Sequence, residues 1–221
     1  MDEFIVHTVP GSPYARPVMA LLEEKQVPWT IHRLNTGEHV CEPHLSRHPF
    51  GKMPVLEAGG RYIYETQAIL RYLDETLPGP SFTPVGAEER LRMNQAIGIC
   101  DAYLFPEAAR TIVFQRVVGP AIFPGFEPDD EAVRAGMPRA HTIFAELSRL
   151  LGGDAWFGAD RPCLADLMVG AQLELFARAP EWAELTGDRP NLATWLERVE
   201  ALSGQRATVW EALAQRFAPA A

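Results

Sequence analysis

Cysteine is scarce in this chain. Its three, Cys41, Cys100 and Cys163 among 221 residues, are odd in number, far apart and never in a CxxC pair. Such spacing excludes a disulfide framework and a zinc ribbon and leaves reduced thiols as the default. Long apolar runs are also missing. None approaches the ~20 residues that a membrane-spanning helix needs, and Met1-Asp2-Glu3-Phe4 has neither the basic nor the apolar region of a signal peptide. The expected location is the cytoplasm, with no membrane partner. Basic charge is in deficit, 20 Lys and Arg against 29 Asp and Glu, giving a formal net charge of -9 and a pI of about 5.2. Residues 1–80 and the remainder are each acidic, so the total conceals no basic face for nucleic acid.

What is there is a change of period along the chain. Phe4 to Val9 is β-rich, Val18, Leu21 and Leu22 mark the buried face of a helix, and Trp29 to Leu34 is a second strand after the Val27-Pro28 break. Val55-Leu56 and Tyr62-Ile63-Tyr64 flank Ala58-Gly59-Gly60-Arg61, a glycine pair that supplies the positive φ of a hairpin turn. Thr66 then stands where an N-cap belongs, before a helix with Ile69, Tyr72, Leu73 and Leu77 on one face. This order is βαβ-ββα. The proline-dense Leu77 to Pro84 reads as an extended linker. From Gly86 the pattern is helical: Met93, Ile97, Cys100 and Leu104, then Val133, Ala140, Phe144, Leu147 and Leu151, with Gly152-Gly153 as the stop. Later helices run from about Cys163, from about Asn191, and from Trp210 toward Phe217. Pro138 predicts a kink or break. The expected division is an α/β domain over 1–80, a linker over 81–89 and an all-α domain over 90–221.

Two helix starts in the first domain carry hydroxyls. Ser12-Pro13-Tyr14-Ala15 opens the first helix, and Glu65-Thr66 opens the one after the hairpin. A helix start has free N–H groups and partial positive charge, so it can hold an anion. Each residue also has an ordinary reading, Ser12 and Thr66 as caps and Glu65 as a surface carboxylate. Met53-Pro54 likewise reads as a strand-edge proline. His39, Cys41, His44 and His48 fit no zinc spacing, and Pro43 stiffens the segment between them, so no metal is expected.

Taken together these stretches resemble the cytosolic glutathione transferases, in particular bacterial members of phi/theta-like, serine type. Gly37 to Pro54 is similar to the segment with an early histidine, Asn-Pro-Phe-Gly midway and Val-Pro at its end, with His48 and Met53 here replacing the asparagine and the valine. Pro190-Asn191-Leu192-Ala193-Thr194-Trp195-Leu196-Glu197-Arg198-Val199 resembles the family's late Pro-Asn-Leu helix. Phe157 to Asp166 resembles the capping segment before its central helix, with Cys163 in place of a hydroxyl. The resemblance implies a thioredoxin-like first domain followed by an all-helical one. It assigns Ser12 the glutathione thiol and Met53, before a cis Pro54, the cysteinyl backbone. Thr66 and Glu65 take the γ-glutamyl end, and His39 and Lys52 the glycine carboxylate. It also implies a homodimer that uses glutathione as co-substrate, without metal or other cofactor, against a small apolar electrophile.

Glutaredoxins, relatives by fold, carry Cys-Pro-Tyr-Cys where this chain has Ser12-Pro13-Tyr14-Ala15, so a redox dithiol is excluded. A free thiol ionises at a pKa of about 8.5. A hydrogen bond to a charged acceptor contributes roughly 1.5–3 kcal/mol and a helix N-terminus roughly 0.3–1 kcal/mol, enough to lower a bound thiol's pKa by about one to three units. Two rivals remain: a non-catalytic glutathione- or ligand-binding protein on the same scaffold, and a glutathione-dependent isomerase, peroxidase or reductase. Asp101 on the first long helix is a weaker candidate, for reaching a partner subunit's ligand, that a solvated aspartate explains better, and Tyr103, Phe105, Phe114 and Phe123 form a candidate apolar lining that core packing explains equally well.

Overall fold

The structure is a computed structural model that describes residues 4–9, 11–35 and 37–217. It opens with β1 (Phe4–Thr8), α1 (Arg16–Glu24) and β2 (Trp29–Arg33), followed by a 3-10 turn at Glu38–Val40 and the short α2 (His44–Arg47). The hairpin is β3 (Val55–Ala58) and β4 (Arg61–Tyr64), and α3 (Thr66–Thr76) follows it. The sheet order is β2-β1-β3-β4, with β1 parallel to β2 and the other pairs antiparallel. Val6 and Leu56 face inward with Val18, Leu21, Leu22, Ile69 and Leu73, all fully buried. The opposite face carries His7, His32, Glu57 and Tyr62, which the register places side by side.

The helical part contains α4 (Ala87–Ile99), two stretches of wider π-type turns at Cys100–Ala109 and Phe114–Val118, and α5 (Gly119–Ile122). Then come α6 (Asp130–Leu151), α7 (Leu164–Ala177), α8 (Trp182–Thr186) and α9 (Pro190–Glu200). The first of these wide stretches contains a proline. Pro106 has no N–H to close an ordinary turn, and the Arg110 N–H reaches back five residues to the Phe105 carbonyl at 2.9 Å. Helix α6 continues through Pro138 without the predicted break. Pro138 and Arg134, whose carbonyl it deprives of a partner, are both exposed, so water can satisfy that oxygen. Helix α7 is buried on nearly every side, as its continuous apolar sequence requires. Its capping box forms as the sequence suggests: Asp166 accepts from the Cys163 N–H at 2.7 Å, and also from the Phe157 N–H at 3.0 Å and the Trp195 indole at 2.7 Å.

Two compact units result: Pro84–Glu200, and the chain up to Thr83 together with the chain from Ala201 on. The last stretch, α10 (Ser203–Ala207) and α11 (Trp210–Arg216), thus groups with the sheet rather than with the helices that precede it. The reason is a set of polar ties to α1. Glu24 accepts from the Ser203 hydroxyl at 2.9 Å and the Gly204 N–H at 2.7 Å, Arg16 donates to the Gln205 carbonyl at 3.2 Å, and Arg216 pairs with Glu23. At the other end of α1, Lys25 and Asp74 form an ion pair at 2.9 Å with both side chains 1% exposed. Asp74 also accepts from the Phe82 N–H at 2.8 Å and the Ser81 hydroxyl at 3.1 Å, which fastens the start of the linker to α3. Burial pushes the Asp74 carboxyl up, but the Phe82 N–H and the Lys25 ammonium outweigh it and hold it below the ordinary value.

Candidate active site

Ser12 is 8% exposed, in the turn between β1 and α1. Its hydroxyl oxygen accepts from the Ala15 N–H at 3.3 Å, and its carbonyl accepts from the Ala15 and Arg16 N–H groups at 3.2 and 3.1 Å. Among the described residues the Ser12 hydroxyl donates to nothing, so its hydrogen remains for an outside acceptor. Arg16 opens α1 as a buried, permanently charged guanidinium, adding positive charge to this helix start. Helix α1 starts at Arg16 with Ala15 as its cap, after the Ser12-Pro13-Tyr14-Ala15 turn rather than at Ser12 as the sequence suggested, and Pro17 at its second position is compatible because that N–H has no intrahelical partner anyway.

Thr66 lies one residue inside α3 rather than at its cap. Glu65 takes the cap position with φ 68° and ψ 112°, a left-handed backbone unusual for a residue with a side chain. Such a conformation costs about 1–3 kcal/mol and persists only where the surroundings impose it. Here the Thr66 hydroxyl supplies part of that constraint by donating to the Tyr14 carbonyl at 3.1 Å. The β3–β4 register sets Val55 opposite Tyr64, so Pro54 and Glu65 leave the sheet side by side. The Met53–Pro54 peptide bond is cis, as the resemblance implies, and so is Glu42–Pro43.

Lys52 is exposed, and its carbonyl accepts from the buried His44 imidazole at 2.7 Å. Gly51 has φ 58°, and a Cβ there would lie 3.0 Å from the His39 carbonyl oxygen, so the His39 turn and the Lys52 segment touch. The seven candidate residues therefore form one continuous line within the first unit: Ser12, the Tyr14–Thr66 bridge, Glu65, Pro54, Met53, Lys52 and His39. His44 and His48 face inward, His44 to Lys52 and His48 accepting from the Phe50 N–H at 3.4 Å. Among the described residues no group of three or more His, Cys, Asp and Glu could hold a metal.

Sequence reasoning missed a polar cluster on the outer face of the sheet. Arg47 donates to His7 Nδ1 at 3.3 Å, which leaves the proton on Nε2, and Nε2 donates to Glu57 at 2.9 Å. Burial and the Arg47 charge outweigh Glu57, so His7 is held below its ordinary pKa; burial does the same for His48. Only period-two alternation linked His7 and Glu57, and nothing linked Arg47. Asp101 is half-buried, Tyr103 exposed, and Phe114, Phe123 and Phe126 form an inclined aromatic cluster with ring centres 5.5–6.5 Å apart.

Known proteins resemble this chain over most of its length. The glutathione S-transferase N-terminal domain model matches residues 6–81 and the C-terminal domain model matches residues 130–198. Glutathione S-transferase F4 of Arabidopsis thaliana is 33% identical over 199 residues, covering 88% of this chain and 80% of that protein. A glutathione S-transferase from Rhodospirillum rubrum superposes with a TM-score of 0.76 at 26% identity, over 93% of this chain and 91% of that one. The theta-class enzyme of Xanthomonas axonopodis pv. citri, solved with glutathione bound, superposes at 0.82 with 20% identity, over 95% and 98%. In the described residues no helix is long and apolar enough to cross a membrane. The chain belongs to the glutathione S-transferase family.

Proposed function

We propose that this transferase activates glutathione through Ser12 and conjugates it to a small apolar electrophile. One observation carries the reading: the Ser12 hydroxyl accepts from Ala15 and keeps its own hydrogen for a thiolate at a positively charged helix start. The remaining line suits the rest of the tripeptide. The N–H groups opening α3 receive the γ-glutamyl carboxylate and Glu65 its ammonium. The backbone of Met53 pairs with the cysteinyl unit as a short added strand, and Lys52 and His39 hold the glycine carboxylate. The thiol loses its proton to solvent, sulfur forms the new bond to carbon, and the leaving group departs with its electron pair. Glutathione is consumed, no further cofactor is required, and the setting is cytoplasmic detoxification or catabolism by a homodimer. Retention on immobilised glutathione together with conjugation of a standard electrophile tests the reading. Retention without turnover would favour the non-catalytic binding protein.

A further inference from the structure

The turn that presents Ser12 has a wall that the reaction above does not use. Gly11 has φ 84°, a left-handed backbone that glycine adopts freely, and a Cβ at that position would overlap Cε3 and Cζ3 of Trp210. The indole therefore rests on the backbone one residue from the Ser12 hydroxyl. Trp210 is nevertheless 45% exposed, so the ring seated on Gly11 also presents open surface. Its position is built rather than incidental. Helix α10, which leads to it, is tied to α1 through Glu24 and Arg16. Helix α11, which it opens, is held at its far end by the Arg216–Glu23 pair and by the Arg216 guanidinium 4.7 Å from the centre of the Trp29 ring.

We propose that Trp210 determines specificity in this transferase: its open indole surface stacks on the ring of an aromatic electrophile during attack, favouring aryl over alkyl substrates of similar area. The proposal rests on Ser12 as the thiolate's partner. An indole face is electron-rich and a nitroarene ring electron-poor, so the two gain from offset stacking, whereas an alkyl chain gains only burial. With 1-chloro-2,4-dinitrobenzene, sulfur bonds to the carbon bearing chlorine, charge passes into the nitro groups, and chloride leaves with the C–Cl electron pair. With 1-iodohexane the C–S bond forms as iodide leaves with its pair. Both reactions consume one thiolate, and they differ in the group set against Trp210.

The test is calorimetric titration of glutathione, S-(2,4-dinitrophenyl)glutathione and S-hexylglutathione into wild type, Trp210→Leu and Trp210→Phe, with kcat/KM for the two electrophiles. Trp210→Leu should weaken the dinitrophenyl conjugate roughly three- to tenfold more than the hexyl conjugate and lower the aryl-to-alkyl kcat/KM ratio by a similar factor. Trp210→Phe should recover most of both. Equal losses for the two conjugates in Trp210→Leu, or no recovery in Trp210→Phe, would overturn the role of Trp210 while leaving Ser12 intact. A wild type that binds glutathione and neither conjugate would overturn it as well. A wild type that binds none of the three compounds would overturn the glutathione reading itself.

Discussion

The Thr66 hydroxyl gives its only hydrogen to the Tyr14 carbonyl, 3.1 Å away, and so joins the start of α3 to the turn that carries Ser12. A carboxylate arriving at α3 must then be met by backbone N–H groups rather than by that hydroxyl. Thr66→Val keeps the shape but removes the hydrogen bond to the Tyr14 carbonyl, at a cost of about 1–3 kcal/mol. Glutathione affinity should fall by about 1–2 kcal/mol through loosening of the Ser12 turn, with the fold retained, and Thr66→Ser should restore it. Calorimetry on the two variants checks this, and equal affinity in all three proteins would reduce Thr66 to a helix-start residue.

Ser12→Ala should raise the pKa of bound glutathione by at least about one unit and lower turnover about tenfold or more at pH 6.5, with far less effect at pH 9, where the free thiol already ionises. Conjugation rate against pH is the measurement. Ser12→Cys should instead form a mixed disulfide with oxidised glutathione, releasing one reduced glutathione, and mass spectrometry would detect the adduct. A pH profile unmoved by alanine would pass the activating role to Tyr14 or His7.

Lys25→Met leaves the Asp74 carboxylate buried without its cation, which costs about 3–5 kcal/mol. The double change Lys25→Met, Asp74→Leu removes both charges and should recover a large part of that loss in urea unfolding. Non-recovery would show that the Phe82 and Ser81 bonds to Asp74, rather than its charge, are what the region needs.

His7 and His48 both lie below their ordinary pKa in the folded chain, because burial disfavours the imidazolium. Between the unfolded value near 6.5 and the lower folded value, the unfolded chain binds more protons, so stability falls as pH falls through that window. Urea midpoints should therefore drop from pH 7.5 toward pH 5. His48→Asn removes one of the two groups and should make the drop shallower; an unchanged slope would exclude His48 as a contributor.

Phe50 is 70% exposed beside Gly51, with Val40 at 56% and Tyr62 at 42% on the same unit, an amount of open apolar surface that suits a second copy. Sedimentation should give twice the 24.5 kDa chain mass at micromolar concentration, and Phe50→Ala should shift the protein toward one chain. A wild-type mass near a single chain would refute the homodimer.

The strands, the hairpin and the capping box at Cys163 were legible because their signals are local: alternation, a glycine pair and residues three apart. The position of Thr66 was misread by one residue because a positive φ at glutamate has no sequence signature; it is imposed by contacts such as that with Tyr14. The spacing of Met93, Ile97, Cys100 and Leu104 showed a helix but not its widening, which depends on how the turns around Pro106 find partners. Lys25 and Asp74, or Gly11 and Trp210, meet only through the tertiary fold, and no pattern along the chain pairs them.

The return of the chain after Ala201 to α1 also sets an order of events during synthesis. Glu24 cannot meet Ser203 until synthesis has passed the whole of Pro84–Glu200, so the unit begun first closes only after the second has been made. The helices of Pro84–Glu200, whose contacts lie nearer in sequence, can assemble while the sheet unit still waits for its final piece. A nascent chain halted at Glu200 would carry an α1 without its terminal partners and a Trp29 ring not yet covered by Phe217 and Arg216.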